Sequence, residues 1–316
     1  MAKMRPDYVL TNLPSRIAIF ELNSFIESML QDNSLYDETN YEKRSEVIDS
    51  LDFLVLGQIE ELQDKTDQPE KLEVLKLRAE QLKEQLEEID NELFGRLRAD
   101  IQKNAVTAGA FRKLIDEYFV RKAPLKEATE ESGYDNLDLF LTRLFCAGSM
   151  PSQTKDLEPG MIYYQKTPAR LVFELVNKSN FSQDDIFVDL GSGLGQVVLL
   201  VSLLAGISAI GVEFEPAYCQ YARACAKALH LSKVIFYNVD AREADYSIGT
   251  VFFLFTPFMN EMLEEVLEHL KKQSMLRKIQ VISYGPCTAQ IATHDWLTQI
   301  GSSDTNIYAL SYFWSR

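Results

Sequence analysis

The sequence predicts a chain in two parts, an all-α helical domain over residues 1–150 and an α/β domain with a Rossmann-like, mostly parallel sheet over residues 151–316. Three observations carry this. Apolar residues recur at helical spacing through the first part. Prolines and glycines then cluster at Ala147-Gly-Ser-Met-Pro151 and Leu157-Glu-Pro-Gly160. Beyond them short apolar runs alternate with helical stretches, the order that places helices over a parallel sheet. A length of 316 residues also suits two cores better than one.

In the first part Ile17, Phe20, Ile26 and Leu30 mark one helix, and Val47, Leu51, Leu54, Val55, Gln58 and Leu62 a second. The polar stretch Asp37 to Asn40 separates them. Asp67-Gln-Pro69 is a start signal for a longer helix over residues 70–97. Within it Leu72, Ala79, Leu86 and Leu93 fit heptad position a, and Leu75, Leu82 and Ile89 fit position d, with Glu and Lys between. Such a seam can close an antiparallel hairpin or bundle within the chain, or join two copies as a homodimer. Shorter helices are expected at Phe111 to Phe119 and Leu137 to Cys146.

In the second part strands are expected at Ile186 to Leu190, Ile207 to Val212, Val234 to Asn238, Thr250 to Phe255 and Ile279 to Tyr284. Helices lie between them at Gln196 to Leu204, Pro216 to Leu229 and Asn260 to Lys272. The tail, Trp296 to Ile300 and Asn306 to Trp314 around Gly-Ser-Ser-Asp, reads as a closing hairpin, so the sheet ends on an antiparallel strand.

A net charge of −15 argues against direct nucleic-acid binding, which needs Lys and Arg to displace counterions from phosphates, and is compatible with a basic protein partner. The acid is concentrated in residues 1–150, with 30 Asp/Glu against 19 Lys/Arg. No stretch approaches the roughly 20 apolar residues that cross a bilayer, and the amino terminus lacks an apolar signal core. A cytoplasmic protein without a membrane partner is therefore expected. Cys146, Cys219, Cys225 and Cys287 show no CxxC spacing and lie far in sequence from His230, His269 and His294. Reduced structural thiols and no metal site are expected.

The residues with chemistry begin at the first strand-to-helix turn, Asp189-Leu-Gly191-Ser192-Gly193-Leu-Gly195-Gln196. In an open α/β sheet a ligand sits outside the carboxyl ends of the strands, and this turn is the usual contact. Glycines let the backbone turn sharply and approach the ligand, while the next helix presents free N–H groups. A dinucleotide loop, G-x-G-x-x-G, would put its third glycine at position 196, but Gln196 stands there and the glycine comes one residue earlier. The next strand ends in Glu213, 18 residues after Gly195, followed by Phe214. A carboxylate there can accept hydrogen bonds from both hydroxyls of a ribose. The third strand ends at Asn238-Val-Asp240-Ala241.

The spacing resembles motif I of class I methyltransferases, D/E-x-G-x-G-x-G. Phe187-Val-Asp-Leu-Gly-Ser-Gly-Leu-Gly-Gln-Val-Val-Leu199 is similar to the non-SET histone lysine methyltransferases of the disruptor-of-telomeric-silencing family, including the Gln after the third glycine. Their upstream Tyr-x-x-Thr element is similar to Tyr164-Gln-Lys-Thr167. The resemblance covers residues 160–285 and implies a seven-strand methyltransferase sheet that binds S-adenosyl-L-methionine and releases S-adenosyl-L-homocysteine. It implies that Tyr164 and Thr167 wrap the methionine end of the cofactor, that Asp240 and Ala241 meet the adenine, and that Asp189, Gly191, Ser192, Gly193, Gly195, Gln196, Glu213 and Phe214 complete the cofactor site.

The sequence departs from the family on the acceptor side. Phe253-Leu-Phe-Thr256-Pro257-Phe258 stands where the family carries an Asn-Asn-Phe-like segment. Thr256, Pro257 and Phe258 are expected to wall the acceptor. Methyl transfer from a sulfonium is an in-line displacement that needs a neutral nucleophile held about 3 Å away in a dry site, without an obligatory general base. The first expectation is lysine N-methylation of a basic protein. Small-molecule N- or O-methylation and an inactive adenosyl-binding scaffold are the alternatives.

Overall fold

The computed structural model describes residues 15–103, 107–119, 134–145, 148–301 and 307–316. The chain forms two compact units, Met1–Arg96 with Glu117–Phe119, and Leu97–Asp116 with Val120–Arg316.

In the first unit α1 (Ser15–Leu30), α2 (Tyr41–Asp49), a wider-wound helical segment Ser50–Leu56 and α3 (Gly57–Leu62) precede the long α4 (Pro69–Gln102). Positions a and d of the heptad pattern point inward. Leu72, Leu75, Ala79, Leu82 and Leu86 share one buried cluster with Ala18, Leu22 and Ile26 of α1 and with Leu51 and Val55. The seam is thus occupied within the chain, as an intramolecular bundle requires.

An ion pair is buried in this unit, a high cost unless both groups are fully paired. Arg44 and Asp90 are both fully buried, and Arg44 Nε donates to Asp90 Oδ1 at 2.6 Å. The guanidinium also donates to the carbonyls of Leu35 (3.1 Å), Asp37 (2.8 Å) and Glu38 (3.1 Å), so it fixes the 33–40 turn against α4.

The second unit contains α5 (Ala108–Tyr118) as far as Asp116, α6 (Asn136–Phe145), α7 (Ala169–Ser179), and a seven-stranded sheet with its covering helices. The strands are β1 (Ile186–Leu190), β2 (Ser208–Glu213), β3 (Val234–Asn238), β4 (Val251–Phe255), β5 (Gln280–Tyr284), β6 (Leu297–Ile300) and β7 (Ser311–Ser315). The helices α8 (Gln196–Ala205), α9 (Pro216–Ala228), α10 (Asn260–Ser274) and α11 (Cys287–Ile291) alternate with them. The sheet order is β3-β2-β1-β4-β5-β7-β6, with β1 to β5 parallel and β7 antiparallel to both β5 and β6. Every strand expected from the apolar runs is present. Asn306 at the start of the expected last strand lies outside the described residues.

The strand order reverses between β1 and β4, and the carboxyl ends of these two strands open the crevice where such sheets bind ligands. Valine and leucine on α8 are buried along its whole length, which explains why its sequence lacks an amphipathic stripe.

Two expectations change. A boundary at 150 groups α6 with the amino-terminal helices, whereas α6 falls in the sheet unit. Its Asp138 accepts the first N–H of α7, at Ala169 (2.9 Å). The Pro/Gly cluster after it is a surface segment of that unit. Secondly, Cys219 and Cys287 are free thiols, but Cys225 is disulfide-bonded, and Cys146 lies outside the described residues. A disulfide needs two Cα atoms about 6 Å apart in space, which spacing in sequence does not reveal. No described helix is long and apolar enough to cross a membrane.

Removing one partner of the Arg44–Asp90 pair leaves a buried, uncompensated charge. Asp90→Ala is expected to lower the unfolding free energy by about 3–5 kcal/mol, measured by urea denaturation, whereas Arg44→Met with Asp90→Leu recovers most of that loss. An Asp90→Ala chain as stable as the parent would show that the pair does not carry this turn.

Candidate active site

β1 delivers Asp189 to the crevice and runs into the glycine loop. Gly191, Gly193 and Gly195 all adopt left-handed conformations, with φ of +80°, +51° and +83°. Conformational freedom is only half of the requirement at all three. A Cβ on Gly191 would overlap the ring of Pro257, and one on Gly193 would overlap the ring of Tyr164. The N–H groups of Gly191 and Ser192 donate to Val212 O at 2.9 and 3.0 Å, which ties the loop to the end of β2.

Glu213, the last residue of β2, is buried and sits at the centre of the loop contacts. Its Oε2 accepts the Gly193 N–H and its Oε1 the Glu215 N–H, both at 2.7 Å. Asp189 is only 3% exposed. Burial pushes its carboxyl well above the usual carboxylate range, and the neighbouring Glu213 pushes the same way. Burial also raises Glu213, against the pull of the hydrogen bonds from Glu215 and Gly193. Beside them the hydroxyl of Ser192 is buried without a hydrogen-bond partner among the described residues.

These groups line a cavity of about 290 Å³ whose described lining includes Asp189, Glu213 and Glu215 and no Lys, Arg or His. Two carboxylates held near each other at low polarity, plus an orphaned hydroxyl, suit a cationic ligand that also carries hydrogen-bonding groups.

Tyr164 closes one wall, half-buried, with its ring 5.4 Å from that of Tyr218 and its phenol raised by burial. Thr167 is buried and its carbonyl accepts from Gln196 Nε2 at 3.4 Å. The same Nε2 lies 3.5 Å from Asp138 Oδ1, the carboxylate that accepts the Ala169 N–H. Asp138 thus joins the Tyr164–Thr167 segment to the start of α8. Phe214 lines the cavity, and the Lys155 ammonium lies 4.0 Å from its ring centroid.

On the opposite side β4 ends at Phe255, and Thr256 takes φ of +41°, a conformation that a β-branched residue enters only at a cost. Its Oγ1 donates to Tyr284 O at 2.9 Å, inside a gap that any side chain on Gly285 would fill. This turn swings Pro257 against Gly191 and presents Phe255, Thr256, Pro257, Met259 and Pro286 to the cavity.

Of the residues expected at the site, Tyr164, Thr167, Asp189, Gly191, Ser192, Gly193, Gln196, Glu213, Phe214, Thr256 and Pro257 line one cavity. Gly195 lies behind it, packed so closely that a Cβ would be 2.6 Å from Phe236. Phe258 is placed elsewhere: it is buried in the core with Val188, Leu254 and Leu263, because the positive φ at Thr256 turns the chain back under the sheet end. Asp240 and Ala241 do not line the cavity either. Asp240 receives Arg242 Nε at 3.0 Å and Nη2 at 2.6 Å, and Ala241 is buried in the core.

Sequence reasoning missed Asp138, Tyr218 and Glu215. Only Glu215 had a visible signal, since an acid directly before Pro216 marks a helix start. It accepts the Ala217 N–H at 2.9 Å and also receives the Thr154 hydroxyl and the N–H groups of Thr154 and Lys155.

Residues 160–252 match the family described as histone methylation protein DOT1. Among curated proteins no sequence matches. Among solved structures the chain is similar to an RNA methyltransferase from Salinibacter ruber in complex with S-adenosyl-L-homocysteine, at 24% identity over 48% of this chain and 92% of that one, with a TM-score of 0.39. It is also similar to a SAM-dependent methyltransferase from Aquifex aeolicus, at 15% identity over 47% and 93%, with a TM-score of 0.37. A third is magnesium protoporphyrin IX methyltransferase from Synechocystis PCC 6803 with bound SAM, at 17% identity over 46% and 74%, with a TM-score of 0.34.

Burial pushes the Glu215 carboxyl upward, but the Thr154 hydroxyl and the three N–H donors outweigh it and hold the group at about 2, below its ordinary 4.5. A pKa depressed in the folded chain gives stability that is fully present above the unfolded value and is lost as pH falls toward the folded one. Between pH 4.5 and 2 the parent is therefore expected to lose more stability than Glu215→Gln, as followed by thermal melts across that range. Parallel losses in the two chains would contradict the assignment.

Proposed function

We propose that this chain, an S-adenosylmethionine-dependent methyltransferase of the seven-strand class that resembles the DOT1 family, methylates a lysine amine on a basic protein. The observation that carries the reading is the match of residues 160–252 to a histone-methylation family, in a segment that includes the glycine loop, Glu213 and Asp240. The net charge of −15 supports a basic partner.

When bound, S-adenosylmethionine supplies an electrophilic methyl group on a sulfonium. The residues present fit it: Asp189 and Glu213 provide negative charge with no described cation in the lining, and Ser192 offers an unused hydroxyl. In this reading Glu213 accepts from ribose hydroxyls, Asp189 balances the positive charge, and Tyr164 with Thr167 holds the methionine end. Phe255, Thr256, Pro257 and Met259 then form the acceptor wall. This wall has no charged group, so an entering lysine loses solvation that favours its ammonium form, and the neutral amine becomes accessible. Exclusion of water and fixed orientation supply the rate, and none of these wall residues needs to act as a base.

Incubating the full chain with labelled methyl donor and whole-cell protein is expected to label lysine, identified by mass spectrometry. Gly193→Arg, which pushes a long side chain into the Tyr164 ring, is expected to abolish the label. Label that appears only on small molecules would overturn the protein assignment. Because Asp189 is raised in the free protein, binding a cation should release a proton. Calorimetric heats of S-adenosylmethionine binding are therefore expected to depend on buffer ionisation enthalpy near the pH where Asp189 titrates, and to depend less in Asp189→Asn.

A further inference from the structure

We infer that residues 153–162 form a strap that retains the cofactor, and that two charged clasps outside the glycine loop, Glu215 and Arg242, set how long the cofactor stays bound. The inference rests on the methyltransferase reading. Gln153, Leu157, Met161 and Ile162 of this segment line the cavity, yet none belongs to a helix or strand that would hold it there. An irregular segment of this length keeps its place only through tethers along it.

The first tether is Glu215. Its Oε2 accepts the N–H groups of Thr154 (2.9 Å) and Lys155 (2.8 Å), and its Oε1 accepts the Thr154 hydroxyl (2.6 Å) as well as the Ala217 N–H (2.9 Å). Three of these four donors belong to the strap. Lys155 adds an ammonium 4.0 Å from the Phe214 ring centroid and 3.3 Å from Phe214 O. The second tether is Arg242, whose Nη2 donates to Glu158 Oε2 at 2.6 Å while its guanidinium is held by Asp240. At the far end the backbone closes the strap: Met259 N–H donates to Gly160 O at 2.8 Å and Ile162 N–H to Pro257 O at 3.1 Å. The strap is thus fastened beyond the ends of β2, β3 and β4.

This assigns Asp240 a part that differs from what the family resemblance implies. Its carboxylate is taken by Arg242, so it is a positioning residue for the second clasp. The two side-chain clasps can be opened singly without disturbing the glycine loop. Glu215→Asp keeps a favoured helix cap at this position but shortens the side chain that reaches Thr154 and Lys155. Glu158→Gln removes the charge that Arg242 holds.

The test uses the full chain, S-adenosyl-L-homocysteine as probe, and rapid-mixing kinetics beside thermal melts. The dissociation rate is expected to rise about tenfold in Glu215→Asp and about threefold in the more exposed Glu158→Gln, with association rates close to the parent and with a lower melting temperature in Glu215→Asp alone, where hydrogen bonds to a buried carboxylate are lost. A merely structural role would lower the melting temperature and leave the release rate of the folded chain unaltered. Dissociation rates within about twofold of the parent in both variants would overturn the strap while leaving the methyltransferase reading intact. A parent that fails to bind the probe would overturn both.

Discussion

The carboxylate of Glu213 is the junction on which the site's geometry depends. One oxygen takes the N–H of Gly193 and the other that of Glu215, so a single side chain at the end of β2 fixes both the glycine loop and the entry to α9. Other contacts depend on these two. With Gly193 fixed, the ring of Tyr164 can lie where a Cβ would otherwise stand, and with Glu215 fixed, its own carboxylate reaches Thr154 and Lys155. A buried acid is costly unless its lone pairs are used, and here the backbone takes one on each oxygen before any ligand arrives.

That arrangement leaves Asp189 as the less compensated acid. It lies near Glu213, it is more deeply buried, and both effects act against its charged form. The folded chain therefore holds unfavourable electrostatics in the cavity, which a cation relieves. Preorganisation of this kind makes charge complementarity a property of the scaffold before the ligand binds. The wall of Phe255, Thr256, Pro257 and Met259 carries no charge, and in the proposed reaction this matters because a carboxylate there would hold an entering lysine as its ammonium and withhold the neutral amine.

The parts of this design that were legible in the sequence are those where local chemistry and tertiary role coincide. Gly191 and Gly193 are required both by left-handed φ and by close approach, so their spacing is visible as a motif. Alternation of apolar runs and helices located every strand, since a parallel sheet covered by helices leaves that pattern in the chain. The heptad of α4 showed which face is buried, although a seam reads alike whether it meets its own chain or another. Asp138 was illegible because it expresses a contact between helices far apart in sequence, and the disulfide at Cys225 because cysteine spacing does not report proximity in space. Asp240 was misplaced for a subtler reason. Its position at the end of β3 is as expected, but Arg242, two residues on, captures the carboxylate through a bidentate pair that a motif does not weigh.

Thr256 marks where sequence pattern and site part company. A threonine is a poor choice for φ of +41°, and nothing in a run of Phe-Leu-Phe-Thr-Pro-Phe announces a left-handed turn. The conformation persists because the hydroxyl is bonded to Tyr284 O, Gly285 leaves room for it, and Pro257 packs on Gly191. The Thr256–Pro257 turn and the glycine loop are therefore parts of one packed unit, since Pro257 fills the space that a side chain on Gly191 would need. The family match ends at Phe252, before this turn. The strain of this turn is sustained by β5 and the glycine loop on either side.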